Sequence, residues 1–140
     1  MKPARKEEKG TQNKMNGSSS NLLRKLCDGD ENMERLLSYF ILLEPKRQIP
    51  QLSGLDGLLI QAETALRRGY GMRARVYFET AAKVGIYEGD EKTVQKMLTR
   101  AHEAFADANS NSTYQEILSQ LPRLMNIAKS FYSQQIVSET

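Results

Sequence analysis

Between Leu55 and Ile86, small residues recur where two helices would have to touch. Ala62, Ala65, Gly69, Ala74, Phe78 and Ala81 follow one another at intervals of 3, 4, 5, 4 and 3. Helix axes approach to roughly 8–10 Å only where the facing side chains are small. Alanines on both sides of Gly69-Tyr70-Gly71 supply that contact, and Phe78 fills the space beside it. The pattern predicts an antiparallel hairpin. One helix runs from about Leu55 to Arg68, and a second from about Met72 to Val84, ending at Gly85.

The flanking sequence also follows a helical period. Met33, Leu36, Leu37, Phe40 and Ile41 form one stripe, widened by Tyr39 and Leu43. Asp30 is placed to cap that helix, and Glu44-Pro45 to end it, because the residue before proline leaves the α region. Before it, Ser20 or Asn21 caps a short turn through Leu22, Leu23 and Leu26, which Asp28-Gly29-Asp30 breaks. The segment from Pro45 to Gly54 reads as a connector. Asp90 caps a further helix with Val94, Met97, Leu98, Ala101 and Phe105 on one face. An Asn109–Ser112 loop follows. Tyr114, Ile117, Leu118, Leu121, Leu124, Ala128 and Phe131 then hold one stripe across Pro122, which predicts a single kinked helix. No segment alternates as a strand would. The fold expected is all-α: a small helical bundle or short array of α–α hairpins with about five to six helices.

At 140 residues the chain fits one domain, with residues 1–20 as a disordered basic arm and 21–137 as the helical body. The net charge of +3 is unevenly placed. Residues 1–25 hold seven basic and two acidic side chains, a net of +5; the other 115 residues hold 13 basic and 15 acidic ones, a net of −2. The basic character therefore belongs to the arm, which argues against a body built to bind nucleic acid. The longest near-apolar run, Leu36 to Leu43, is interrupted by Ser38 and falls well short of the ~20 residues of a membrane span. The charged N-terminus predicts no secretory signal, and the single cysteine, Cys27, fits a reducing, cytoplasmic setting.

The hairpin residues carry a family resemblance. Leu58, Ala62 and Ala65, then Gly69, then Ala74, Phe78 and Ala81 resemble the two helices and turn of a tetratricopeptide repeat (TPR), over residues 55–86. The next unit departs from that pattern at Lys96 and Thr99, and Ile86 stands where the repeat closes with proline. One repeat-like hairpin within a small bundle is the reading that results. The resemblance implies non-enzymatic binding of a partner helix or peptide, with Leu59, Glu63, Leu66 and Arg67 facing the groove. Members that clamp a terminal carboxylate carry lysine and asparagine where this chain has Leu59 and Glu63, so that clamp is not expected.

Chemistry-bearing residues are sparse. His102 has no second histidine or extra cysteine to complete a metal site, and a structural or solvent-facing role is expected. Cys27 has no histidine near it and reads as a packed or semi-exposed inert thiol. Glu88, Asp90 and Glu91 read as a helix start, and Gly69-Tyr70-Gly71 as a turn. No cofactor or metal and no catalytic residue is expected. Arg67, Arg68, Arg73 and Arg75 flank the hairpin turn. Arg67 follows Glu63 by four residues and Arg75 precedes Glu79 by four, which predicts two helical ion pairs. Arg68 and Arg73 have no such neighbour and are the expected free cations. Two functions compete: a protein-interaction module, and a nucleic-acid-associated protein using Lys2, Arg5, Lys6 and Lys9 with Arg68 and Arg73. The aromatics lie on apolar stripes and give no base-stacking platform, which favours the first.

Overall fold

The burial pattern follows the small-residue series. A computed structural model describes the backbone of residues 17–139 and the side chains of residues 17–135. Among the described residues there are eight helices and no strand: α1 (Gly17–Cys27), α2 (Glu31–Phe40), α3 (Pro45–Gln51), α4 (Gly54–Arg67), α5 (Gly71–Glu88), α6 (Glu91–Ala104), α7 (Ala108–Ser119) and α8 (Leu121–Glu139). The all-α class is as expected; the helix number is slightly higher.

Helices α4, α5 and α6 pack side by side, with α5 in the middle. Leu58, Ala62 and Ala65 of α4 and Ala74, Phe78 and Ala81 of α5 are buried, as the spacing requires. The α4–α5 turn closes with Gly69 N–H donating to Leu66 O at 3.0 Å and Tyr70 N–H to Ala65 O at 2.9 Å, a Schellman closure with Gly69 in the left-handed region. Helix α5 does not stop at Gly85. It runs one turn further and closes at Gly89, whose φ is +74°. Gly85 instead serves the packing: a Cβ there would stand 3.1 Å from methyl carbons of Thr93 and Val94 on α6. Across that contact, α6 buries Val94, Met97, Leu98 and Ala101. Asp90 starts α6 by accepting from Thr93 N–H at 3.2 Å.

A second group covers the other side of α5. Helix α8 touches α1, α2, α5, α6 and α7. Met33, Leu36, Leu37 and Phe40 of α2 are buried, and Asp30 caps the helix through Met33 N–H at 3.0 Å. The same carboxylate receives Arg123 of α8 at 2.6 Å, and that hydrogen bond holds it below the usual carboxylate range. The helix ends at Phe40, before Glu44-Pro45, because Ile41 turns extended. Ile41 and Leu42 are nonetheless buried, and Leu42 N–H donates to the Tyr132 hydroxyl at 2.8 Å.

Four further expectations are corrected. The connector from Pro45 contains α3, because proline is pre-set for a first helical position. Asn109–Ser112 is helix, not loop: Asp107 accepts from Ser110 N–H at 2.9 Å and starts α7 there. The stripe through Pro122 belongs to two helices broken at Gln120, with Pro122 in the first turn of α8, where its missing N–H costs nothing. Gly17 to Ser20, assigned to the arm, form the first turn of α1, and Ser19 is buried and accepts from Gln135 of α8 at 2.7 Å.

Candidate interaction surface

The α4–α5 turn projects at one end of the three-helix array, and the residues after it leave an apolar surface uncovered. Tyr70, Met72 and Val76 are 52%, 54% and 51% exposed, three of the five large apolar side chains so exposed among the described residues. The other two, Tyr39 and Ile60, stand apart in sequence, whereas these three fall within seven residues of one turn. With Arg73, Tyr77 and Phe105 they line an open groove of ≈870 Å³. Gly71 sets its shape. A Cβ there would lie 2.5 Å from Ala104 O, so only glycine lets the start of α5 rest on the end of α6. Phe105, just past α6, enters the groove with the Arg75 guanidinium 5.2 Å above its ring.

The cations around this groove are unevenly committed. Arg73 lies 5.1 Å over the Tyr70 ring, a cation–π contact that leaves its charge unneutralised. Among the described residues neither Arg68 nor Arg73 has an ion-pair partner. The two predicted helical ion pairs do not form. Glu63 is held by Arg100 of α6 at 2.7 and 3.0 Å, a stronger two-oxygen grip than an exposed neighbour on its own helix offers. Arg67 donates to Thr64 Oγ1 at 3.3 Å instead, and Arg75 to Ser110 Oγ at 3.1 Å.

The predicted groove residues therefore divide. Glu63 braces α4 against α6, with Arg100 also on Glu103 at 2.9 Å and 5.2 Å over Phe78. Leu59 and Leu66 are half-buried against the core, and Arg67 is exposed. Arg68 and Arg73 flank the turn itself, and Arg73 lines the groove with the uncovered Tyr70, Met72 and Val76, which the sequence reading did not single out. Met72 and Val76 lie off the Ala74–Phe78–Ala81 stripe, so the helical period marks them as outward-facing but does not bring them together with Phe105. Lys2, Arg5, Lys6 and Lys9 lie outside the described residues.

A second cluster, also unforeseen, is internal. Glu79 is only 7% exposed and accepts from the Tyr39 hydroxyl at 3.0 Å and from the Tyr114 hydroxyl. Burial, then the Glu79 charge, pushes Tyr39 up to about 12, and burial with the Glu79 hydrogen bond raises Tyr114 further. Lys83, whose ammonium is 4.8 Å over the Tyr39 ring, is lowered by its burial against the opposing pull of Glu79. A cavity of ≈270 Å³ adjoins this node. Both carboxylate oxygens are already occupied by tyrosine donors, so the node ties α2, α5 and α7 together.

The remaining chemistry is spare. Cys27 is fully buried, and burial raises its thiol above the ordinary range, which keeps it protonated and unreactive. His102 is half-buried, its Nδ1 enclosed and without a hydrogen-bond partner among the described residues. Among the described residues, no three His, Cys, Asp or Glu side chains group as metal ligands, and no helix is long and apolar enough to cross a membrane. Comparison with protein-family models, with curated proteins and with solved structures finds no match to this chain.

Proposed function

We propose that this protein is a non-enzymatic interaction module that holds a partner peptide or helix at a TPR-like hairpin, with the contact centred on the α4–α5 turn. The supporting observation is the groove itself: Tyr70, Met72 and Val76 are uncovered beside Arg73, with Arg68 capping the helix before the turn, and neither arginine pairs with a carboxylate. Exposed apolar area framed by unpaired charge is what a partner-binding patch requires, since the apolar floor supplies affinity and the cations supply orientation. Aromatic and arginine side chains are also those that most often dominate binding energy at interfaces. The partner that fits is a segment with one or two large apolar side chains flanked by Asp or Glu. Glu63 is already paired with Arg100, and Leu59 and Leu66 are half-buried against the core, so the contact centres on the turn and not on these residues.

Peptide display against the folded protein tests this reading. The expected outcome is enrichment of apolar segments bearing acidic residues, lost in a Met72→Asp/Val76→Asp variant and weakened in Arg68→Ala/Arg73→Ala. Enrichment indifferent to both variants would contradict it. So would tight nucleic-acid binding whose log affinity falls with log salt at about 0.7–0.9 per phosphate and whose slope flattens by up to ~2 in the double arginine variant.

A further inference from the structure

Far from the hairpin turn, where the chain leaves α2 for α3, a cavity of ≈250 Å³ lies against α8. Its inner wall is apolar. Phe131 and Tyr132 meet edge to face at 5.8 Å, Tyr87 stands edge-on to Tyr132 at 4.8 Å, and Leu42 and Leu43 complete it. Its mouth is charged, with Glu44, Lys46 and Arg47 at the rim. Arg47 pairs with Glu44 at 3.0 Å, so the rim carries one net positive charge, on Lys46. The Glu44 backbone N–H is already satisfied by Gln48 Oε1 at 2.8 Å.

One polar group inside is half-used. Tyr132 is 7% exposed, and its hydroxyl oxygen accepts the Leu42 N–H, whose helical partner was lost when α2 ended. Its own proton has no acceptor among the described residues. A tyrosine hydroxyl can accept and donate at once, so the Tyr132 O–H, spent only as an acceptor, has its proton available to an acceptor that enters the cavity. Burial keeps this hydroxyl protonated throughout the neutral range.

We propose that this cavity binds a small amphiphilic carboxylate, such as a medium-chain fatty acid, its tail against Leu42, Phe131 and Tyr132 and its carboxylate taken by the Tyr132 hydroxyl and Lys46. The rim's single net positive charge matches a monoanion. The volume lies just under that of ordinary drug-sized sites, which limits the tail to one chain or ring.

Calorimetric titration with hexanoate, octanoate and decanoate tests the proposal, with decylamine as the charge-reversed control and amide chemical shifts to locate the site. Saturable one-to-one binding is expected, tightening about fourfold per added methylene, with shifts around Leu42, Tyr87 and Tyr132 and no binding of decylamine. Tyr132→Phe should weaken decanoate about tenfold or more. Because that variant also removes the acceptor of Leu42 N–H, the exposed pair Lys46→Glu/Arg47→Glu provides an independent arm: it should lose decanoate and gain decylamine. Equal affinity for decanoate and decylamine, absence of saturable binding, or shifts confined to the Tyr70–Phe105 groove would overturn the proposal.

Discussion

The two halves of α5 face opposite circumstances. From Glu79 to Ile86 the helix is enclosed by α4, α6, α2 and α8, and even its carboxylate at Glu79 is buried and hydrogen-bonded. From Met72 to Val76 the same helix leaves large apolar side chains uncovered beside arginines without acids. The difference shows where chemistry is free to act. In the enclosed half the charged groups are engaged across helices, Glu79 by two tyrosine hydroxyls and Lys83 over the Tyr39 ring. In the open half, apolar surface is uncovered and Arg73 has no acid, which is the condition for binding something else.

Substitutions should separate the buried side chains of α5 from its uncovered ones. Phe78→Ala empties a fully buried site between α4, α5 and α6 and should cost about 3–5 kcal/mol, read as a lowered denaturant midpoint. Ala74→Leu adds volume where α4 and α5 meet and should cost about 1–3 kcal/mol by overpacking. An unchanged midpoint there would break the hairpin assignment. Glu79→Ala leaves the buried Tyr114 hydroxyl without its acceptor and should cost roughly 1–3 kcal/mol. Restoration by Tyr114→Phe in the same chain would tie the loss to that bond.

The Glu79 node also predicts alkaline behaviour. Tyr39 has its pKa raised from 10.0 to about 12 in the folded state. A raised pKa favours the protonated form, so its contribution is complete below about 10 and disappears as pH climbs towards 12. Stability measured against pH should fall across that window, and less steeply in Tyr39→Phe. At the acid end, Asp30 is lowered by Arg123, so its contribution is present above the ordinary carboxylate range and is lost as pH drops through and below it. Asp30→Asn should shrink that acid loss.

The parts of the fold visible in the sequence were those written locally. The α4–α5 contact needs small residues three to five apart, and Asp30 and Asp90 cap their helices within three residues of themselves. What escaped depends on partners distant in the chain. Glu79 meets Tyr39 and Tyr114, 40 and 35 residues away, and Arg100 takes Glu63 across 37. No spacing rule reaches that far, so Glu63 and Glu79 were matched to their i,i+4 neighbours. Pro122 was ambiguous for another reason: an apolar stripe in phase across proline suits both a kinked helix and two abutting ones. The Gln120 backbone, at φ −122° and ψ 20°, decides for two. Of the surface, Arg68 and Arg73 were recognised by the acids they lack, whereas the apolar groove beside them emerged only once α6 and Phe105 were in place.

Val76→Asp should give the smallest stability change of the series, within about ±0.5 kcal/mol, because the side chain is half in solvent. That makes it the most direct probe of the central claim, that the open half of α5 is a binding surface. The decisive measurement is the affinity of one display-selected acidic–apolar peptide for the wild-type and Val76→Asp proteins, with the denaturant midpoint taken on the same samples. The account predicts at least a tenfold loss of affinity at an unchanged midpoint. Equal affinity for the two proteins would show that the peptide binds elsewhere and that the uncovered groove is not the interaction site.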